Sequence, residues 1–216
     1  MLLFPTRCVA RSLAGLLLLT AGATRARAES ATLAVDPASS HVRLHLGRAG
    51  LMKFMGHEHH IEAPVAEGHV LVVEGDPARS SVLLRFESAK LAIVPGSEPA
   101  GDIPRVEERM RGPEVLDVAR FPQIAFASTS VKGQSANGSG FRLVVVGALT
   151  LRGRSVPVEV PLEVARTAGS LEARGELVLN LRDLGIEPPS VAGVVKVANS
   201  FRLEFEIRAK AQLAAP

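Results

Sequence analysis

Between residues 121 and 164 the chain writes three successive stretches in which every second residue is apolar. In 141–151, Phe141, Leu143, Val145, Leu149 and Leu151 share one parity. In 156–164, Val156, Val158, Val160, Leu162 and Val164 do, with Pro157, Glu159, Pro161 and Glu163 between them. Successive side chains of an extended chain point to opposite faces, so each stretch is a strand with one dry side and one wet side. Long, one-sided strands joined by short Gly-containing turns suit a closed antiparallel barrel with an apolar interior. Such an interior is either a packed core or a container for an apolar ligand, and alternation alone does not choose between them.

The first 28 residues read as a targeting segment. Arg7 and Arg11 form a basic start, residues 13–23 are an apolar run, and Ala26-Arg27-Ala28 sets small residues at the −3 and −1 positions of a cleavage site. The run is shorter than the roughly 20 residues that a membrane span takes. The expectation is a cleaved secretory signal peptide over 1–28 and a single periplasmic domain over 29–216. Without Arg7, Arg11, Arg25 and Arg27 the chain has 21 basic and 22 acidic residues, so the basic isoelectric point belongs to the signal and nucleic-acid binding is not expected. Cys8 leaves too, and with it any disulfide, thiolate nucleophile or cysteine-based metal site. Burial alone must then hold the domain, which its length permits.

The chain has no Trp and no Tyr. Sites for sugars and bases usually rest on aromatic platforms. A wall of Val, Leu, Ile, Ala and Phe suits an aliphatic chain better.

Strands are expected over 31–36, 40–46, 52–63, 65–74, 79–88, 91–94, 122–131, 141–151, 155–166, 170–181 and 200–212. The pattern breaks once. Asp102-Ile-Pro104 looks like a helix start, Val106 and Met110 share a face, and Gly112-Pro113 stops the run, which predicts a short helix over 105–111. In the last strand Phe201, Leu203, Phe205, Ile207 and Ala209 alternate with charged residues that form a solvated outer face. The fold class is therefore all-β: an antiparallel up-and-down barrel of about eight strands with a short helical cover. At that size the lumen holds side chains or one slender ligand. By alternation the inward wall includes Leu44, Phe86, Phe126, Phe141, Val145, Val158, Leu162, Leu177 and Phe205.

One cluster has chemical potential. In 57–60 the sequence is His-Glu-His-His, and on a strand His57 and His59 project to one face while Glu58 and His60 project to the other. Two imidazoles at this spacing can share a metal, given a third ligand such as His41, His45, His69 or a carboxylate. The competing reading is a polar strand end or barrel mouth, and no metal or other cofactor is assigned. Ser128, Ser130, Asp117 and Asp183 lack the Gly-x-Ser-x-Gly elbow of a hydrolase, and no catalytic residue is assigned. The Gly/Ser-rich stretch 133–140 precedes a strand, so it reads as a flexible hairpin loop and not as a phosphate loop.

Four segments, in order, resemble the YceI family of bacterial exported proteins. Asp36-Pro-Ala-Ser-Ser-His-Val42 is similar to its opening Asp-x-x-x-Ser-x-Val segment, and Phe121-Pro-Gln-Ile-Ala-Phe-Ala-Ser128 to its Phe-Pro-x-Ile-x-Phe-x-Ser strand. Gly147-Ala-Leu-Thr-Leu-Arg-Gly153 and Gly185-Ile-Glu-Pro-Pro189 match its later motifs, and the likeness spans nearly all of 32–210. The chain departs at Met55-Gly-His-Glu-His-His-Ile61, where members commonly carry a Val-x-Gly-x-Phe strand. The resemblance implies a lipocalin-like extended barrel whose tunnel binds a polyisoprenoid, such as an isoprenoid quinone tail, or another long-chain lipid. It implies carriage without catalysis, and a possible homodimer. The rival expectation is a metal- or redox-linked periplasmic protein that uses His57 and His59.

Overall fold

The computed structural model describes residues 29–49, 58–137, 140–167, 169–191 and 195–211; the expected signal segment and His57 lie outside them. The strands among these residues are β1 (Ser30–Val35), β2 (His41–Ala49), β3 (His59–Glu62), β4 (Val65–Val73), β5 (Ser81–Glu87), β6 (Ala92–Ile93), β7 (Gln123–Asn137), β8 (Gly140–Leu151), β9 (Arg154–Thr167), β10 (Ser170–Asn180), β11 (Ser190–Val191) and β12 (Val195–Ala211). Eight of them, in the order β1-β4-β5-β7-β8-β9-β10-β12, close into an antiparallel ring where β12 returns to β1. The alternation seen in the sequence is the reason the ring has an inside: the register sets Val145 beside Val160 and Leu143 beside Leu162 on the inner face. Among the described residues the one α-helix is α1 (Ile103–Arg111), and no helix there is long and apolar enough to cross a membrane.

β12 carries two partners along one edge. Its end pairs with β1, and its earlier residues pair with β2, which leaves the ring as a flap continued by β3 and β6. The corner between β1 and β2 is built by Asp36 and Ser40. Asp36 accepts from the Ala38 amide at 3.2 Å, which caps a single 3-10 turn, and its own amide donates to the Arg208 carbonyl at 2.8 Å. The Ser40 hydroxyl, 4% exposed, accepts from the Arg208 amide at 3.0 Å. These bonds satisfy backbone groups that would otherwise be stranded where the chain changes layer.

One end of the ring is plugged. Met110 of α1, Leu116, Leu181, Leu184 and Ile186 are buried in one cluster with Leu151 and Phe201. Glu107 fixes the helix by accepting from the Ile93 amide at 3.0 Å and from Arg111 at 3.0 Å. Arg152, at the tip of the β8–β9 turn, donates to the carbonyls of Pro113 at 3.0 Å and Gly185 at 3.3 Å. Three separate connections are thereby stitched together over the same opening.

Three of the expected elements differ. The stretch 133–140 was expected to be a flexible loop, but β7 runs on to Asn137, with Ser135, Ala136 and Asn137 paired to Arg142, Phe141 and Gly140. A bulge between Lys132 and Ser135, with Gly133 at φ 64°, breaks the parity and hides the strand's continuation. Likewise β12 begins at Val195 and not at 200, across a register shift between Val197 and Phe201. Of the expected strand over 52–63, β3 covers His59–Glu62.

Two inward glycines make room for aromatic rings. A Cβ at Gly147 would lie 2.6 Å from Cζ of Phe126; one at Gly175 would lie 2.7 Å from Cζ of Phe205 and 2.4 Å from the Pro161 carbonyl oxygen. The tip of each ring therefore packs directly against a glycine backbone. The substitution Gly175→Ala is expected to cost about 1–3 kcal/mol by overpacking, read as a lower urea midpoint. A variant as stable as the parent would show that the ring is not held there.

Candidate functional site

Inside the ring is an apolar cavity of about 410 Å³, within the roughly 300–1,000 Å³ usual for ligand pockets. Its wall is made of Val, Leu, Ile, Ala and Phe side chains from every ring strand except β1, with Val42 contributed by the flap. Phe86, Phe126, Phe141, Val145, Val158, Leu162, Leu177 and Phe205 all line it. Leu44, the ninth residue with the inward parity, packs instead between Ile61 and Leu203 where the flap meets β12. Parity assigns a face; it does not say whether that face covers the lumen or the flap. Val70, Val72 and Leu179 obey the same alternation and line the cavity as well.

The cavity is blind at the plugged end and opens at the other. The mouth is formed by Glu74, Gly75, Pro77, Ser80 and Ser81 around the β4–β5 turn, with Phe141, Arg166 and Leu171 facing them. Phe141 is 39% exposed there, as an apolar lip. Arg166 and Glu74 form an ion pair at 2.5 Å. The hydrogen bond from the Arg166 guanidinium holds the Glu74 carboxyl below the usual carboxylate range. A depressed carboxylate contributes at neutral pH and loses its contribution as the pH falls through its lowered pKa. Both residues continue the inward parity of their strands past the last aliphatic position, Val164 on β9 and Val72 on β4. Following the alternation beyond the apolar run would have found them.

The histidines divide between two faces. His59 points into the flap's interior, where its Nδ1 donates to Glu98 Oε1 at 2.6 Å; the Glu98 side chain is 1% exposed. A carboxylate so buried requires a partner, and this pair ties β3 to the loop ahead of α1. His60 lies on the opposite face, its ring edge-on to His45 at 4.8 Å. His45 Nε2 is 3.2 Å from Glu204 Oε2, and His41 Nδ1 is 3.3 Å from Glu62 Oε1. His69 stands apart on β4, paired across the sheet with Leu83 and Ala34. Among the described residues no three His, Cys, Asp or Glu side chains converge as a metal site. His57 lies outside the described residues, so the expected His57–His59 pair is not placed.

Comparison with known proteins agrees with this architecture. A 52-residue segment is 46% identical to a UPF0312 protein of Yersinia pestis, covering 24% of this chain and 24% of that relative, so the likeness spans about a quarter of its length. BcnA of Burkholderia cenocepacia has a similar structure, with a TM-score of 0.62 and 19% identity over 82% of this chain and 99% of that one. A polyisoprenoid binding domain from Saccharophagus degradans has a TM-score of 0.57 and 14% identity, over 85% of this chain and 100% of that one. At these identities the structures establish the fold. The family model of the YceI-like domain matches residues 33–209, and the chain belongs to that family.

Proposed function

We propose that this chain is an exported carrier that takes up one polyisoprenoid or similar long-chain lipid in the barrel and shields it from water in the periplasm. The observation that carries the reading is the blind apolar cavity, whose polar side chains, Glu74, Ser80, Ser81 and Arg166, sit only at the mouth. Each methylene that moves from water into such a wall gains about 0.8 kcal/mol, so chain length supplies affinity without any reaction. Phe86, Phe126, Val145, Val158, Leu162, Leu177 and Phe205 act as the wall in this reading, with Phe141 as the lip and Leu44 supporting the flap. The solved polyisoprenoid binding domain of the same fold favours a prenyl chain over a straight one. The carrier reading involves no catalysis.

The test is organic extraction of protein purified natively from its own cell envelope, followed by mass spectrometry. A prenyl lipid at close to one per chain is the expected result. An empty extract, from protein that also fails to take up an added prenyl alcohol, would overturn the carrier reading.

A further inference from the structure

Among the described residues, Glu74 and Arg166 are the only ionisable ones on the cavity wall, and they sit at the mouth, where a bound lipid's head must come to rest. Arg166 is on β9 and Glu74 opens the turn that follows β4; those two strands stand four places apart in the eight-strand ring, so the side chains meet from opposite walls. Arg166 occupies the inward parity that Val156, Val158, Val160, Leu162 and Val164 hold before it, while Glu159 and Glu163 between them point outward. The outward Glu163 and Glu159 have their own cations, Arg142 at 2.9 Å and Lys132 at 3.2 Å. Arg166 is instead turned over the lumen, its side chain 27% exposed, and the carboxylate that meets one of its terminal nitrogens comes from across the mouth.

A blind cavity fixes the orientation of what it holds. The tail enters first, and the head stops at the level of Arg166. An exposed ion pair is worth little, about 0–1 kcal/mol, so an incoming group displaces Glu74 at small cost. A guanidinium prefers planar or multi-oxygen anions, which it meets with two parallel bonds. An uncharged head has no means of replacing the carboxylate.

We infer that Arg166 reads the head group: an acidic amphiphile seats its chain in the cavity and its carboxylate or phosphate on Arg166, displacing Glu74, whereas an uncharged head leaves the bridge closed and binds more weakly. This rests on the carrier reading and adds to it the class of head group. The carboxylate of a fatty acid and the phosphate of a prenyl phosphate share the chemistry, and matched probes separate them.

The experiment measures binding by full-length mature protein of palmitic acid against hexadecanol and of farnesyl phosphate against farnesol, in the parent, Glu74→Gln and Arg166→Gln. The readout is the acid-to-alcohol affinity ratio within each pair. A ratio of about tenfold is expected for the parent, a further rise for Glu74→Gln, which removes the internal competitor, and a fall to about one for Arg166→Gln. The pair with the larger parent ratio identifies the head group. Ratios near one in all three proteins would overturn the inference while leaving the carrier reading standing. Failure of every probe to bind the parent would overturn the carrier reading, and the inference with it.

Discussion

Val145→Phe is expected to abolish lipid capture while leaving the barrel folded. Val145 lies on the inner face of β8, between Val131 and Val160, and its side chain borders the cavity. A ring placed there projects from the inner face of β8 toward the cavity that Val145 lines. It would exclude three or four methylenes of a bound chain, each worth about 0.8 kcal/mol, so affinity should fall by about a hundredfold or more. The melting temperature of the empty protein should hold or rise, because a void has been filled. Val178→Phe is the control, since Val178 is 68% exposed on the outer face of β10. Overpacking gives the opposite signature, a loss of about 1–3 kcal/mol in stability. That outcome, with lipid binding unaltered, would mean that the interior is a core and that the lipid sits elsewhere.

Leu33→Ala is expected to be the most destabilising single truncation, at about 2–5 kcal/mol. Leu33 is 1% exposed, and across the backbone it faces Val70 on β4 and Ala211 on β12. Hydrogen bonds on both edges keep those strands at fixed spacing, so the vacated volume cannot collapse, which places the cost in the upper half of the range. Set against a total stability of roughly 5–15 kcal/mol, that is a large share. Leu33 does not border the cavity. A urea titration should therefore show a lower midpoint with the slope unchanged, by the same amount with and without lipid. A loss under about 1 kcal/mol would show that the seam between the first and last strands is not where the barrel is held.

Alternation made most of the ring legible because a strand that covers an apolar space has no other way to be written. It failed where an extra residue shifts the parity, as at the bulges in β7 and in the early part of β12. It also could not separate Leu44, over the flap, from Phe205, over the cavity, since the two residues obey the same rule. Glu98 was out of reach for a different reason. Nothing local in 95–101 marks a buried carboxylate, and its partner His59 is 39 residues away in sequence. The segments that carry the family resemblance do mostly structural work. Asp36 and Ser40 turn the corner out of the ring, and Arg152 and Gly185 meet at the plugged end. The Ser128 hydroxyl accepts from the Val82 amide at 2.8 Å beside a bulge, while Phe126 of the same segment reaches the cavity.

The ring closes only where Leu33 meets Ala211, so its last step joins the two ends of the domain. Nearly the whole chain is the loop that this contact must close, and contacts of such long range are slow to form. While β12 is absent, β1 and β10 each present an unpaired edge, together with the apolar face they share with their neighbours. A folding chain is in that state until β12 arrives. The time of greatest aggregation risk is thus set by the position of β12 in the chain, and a chaperone that shields open strand edges would speed maturation without altering the finished protein.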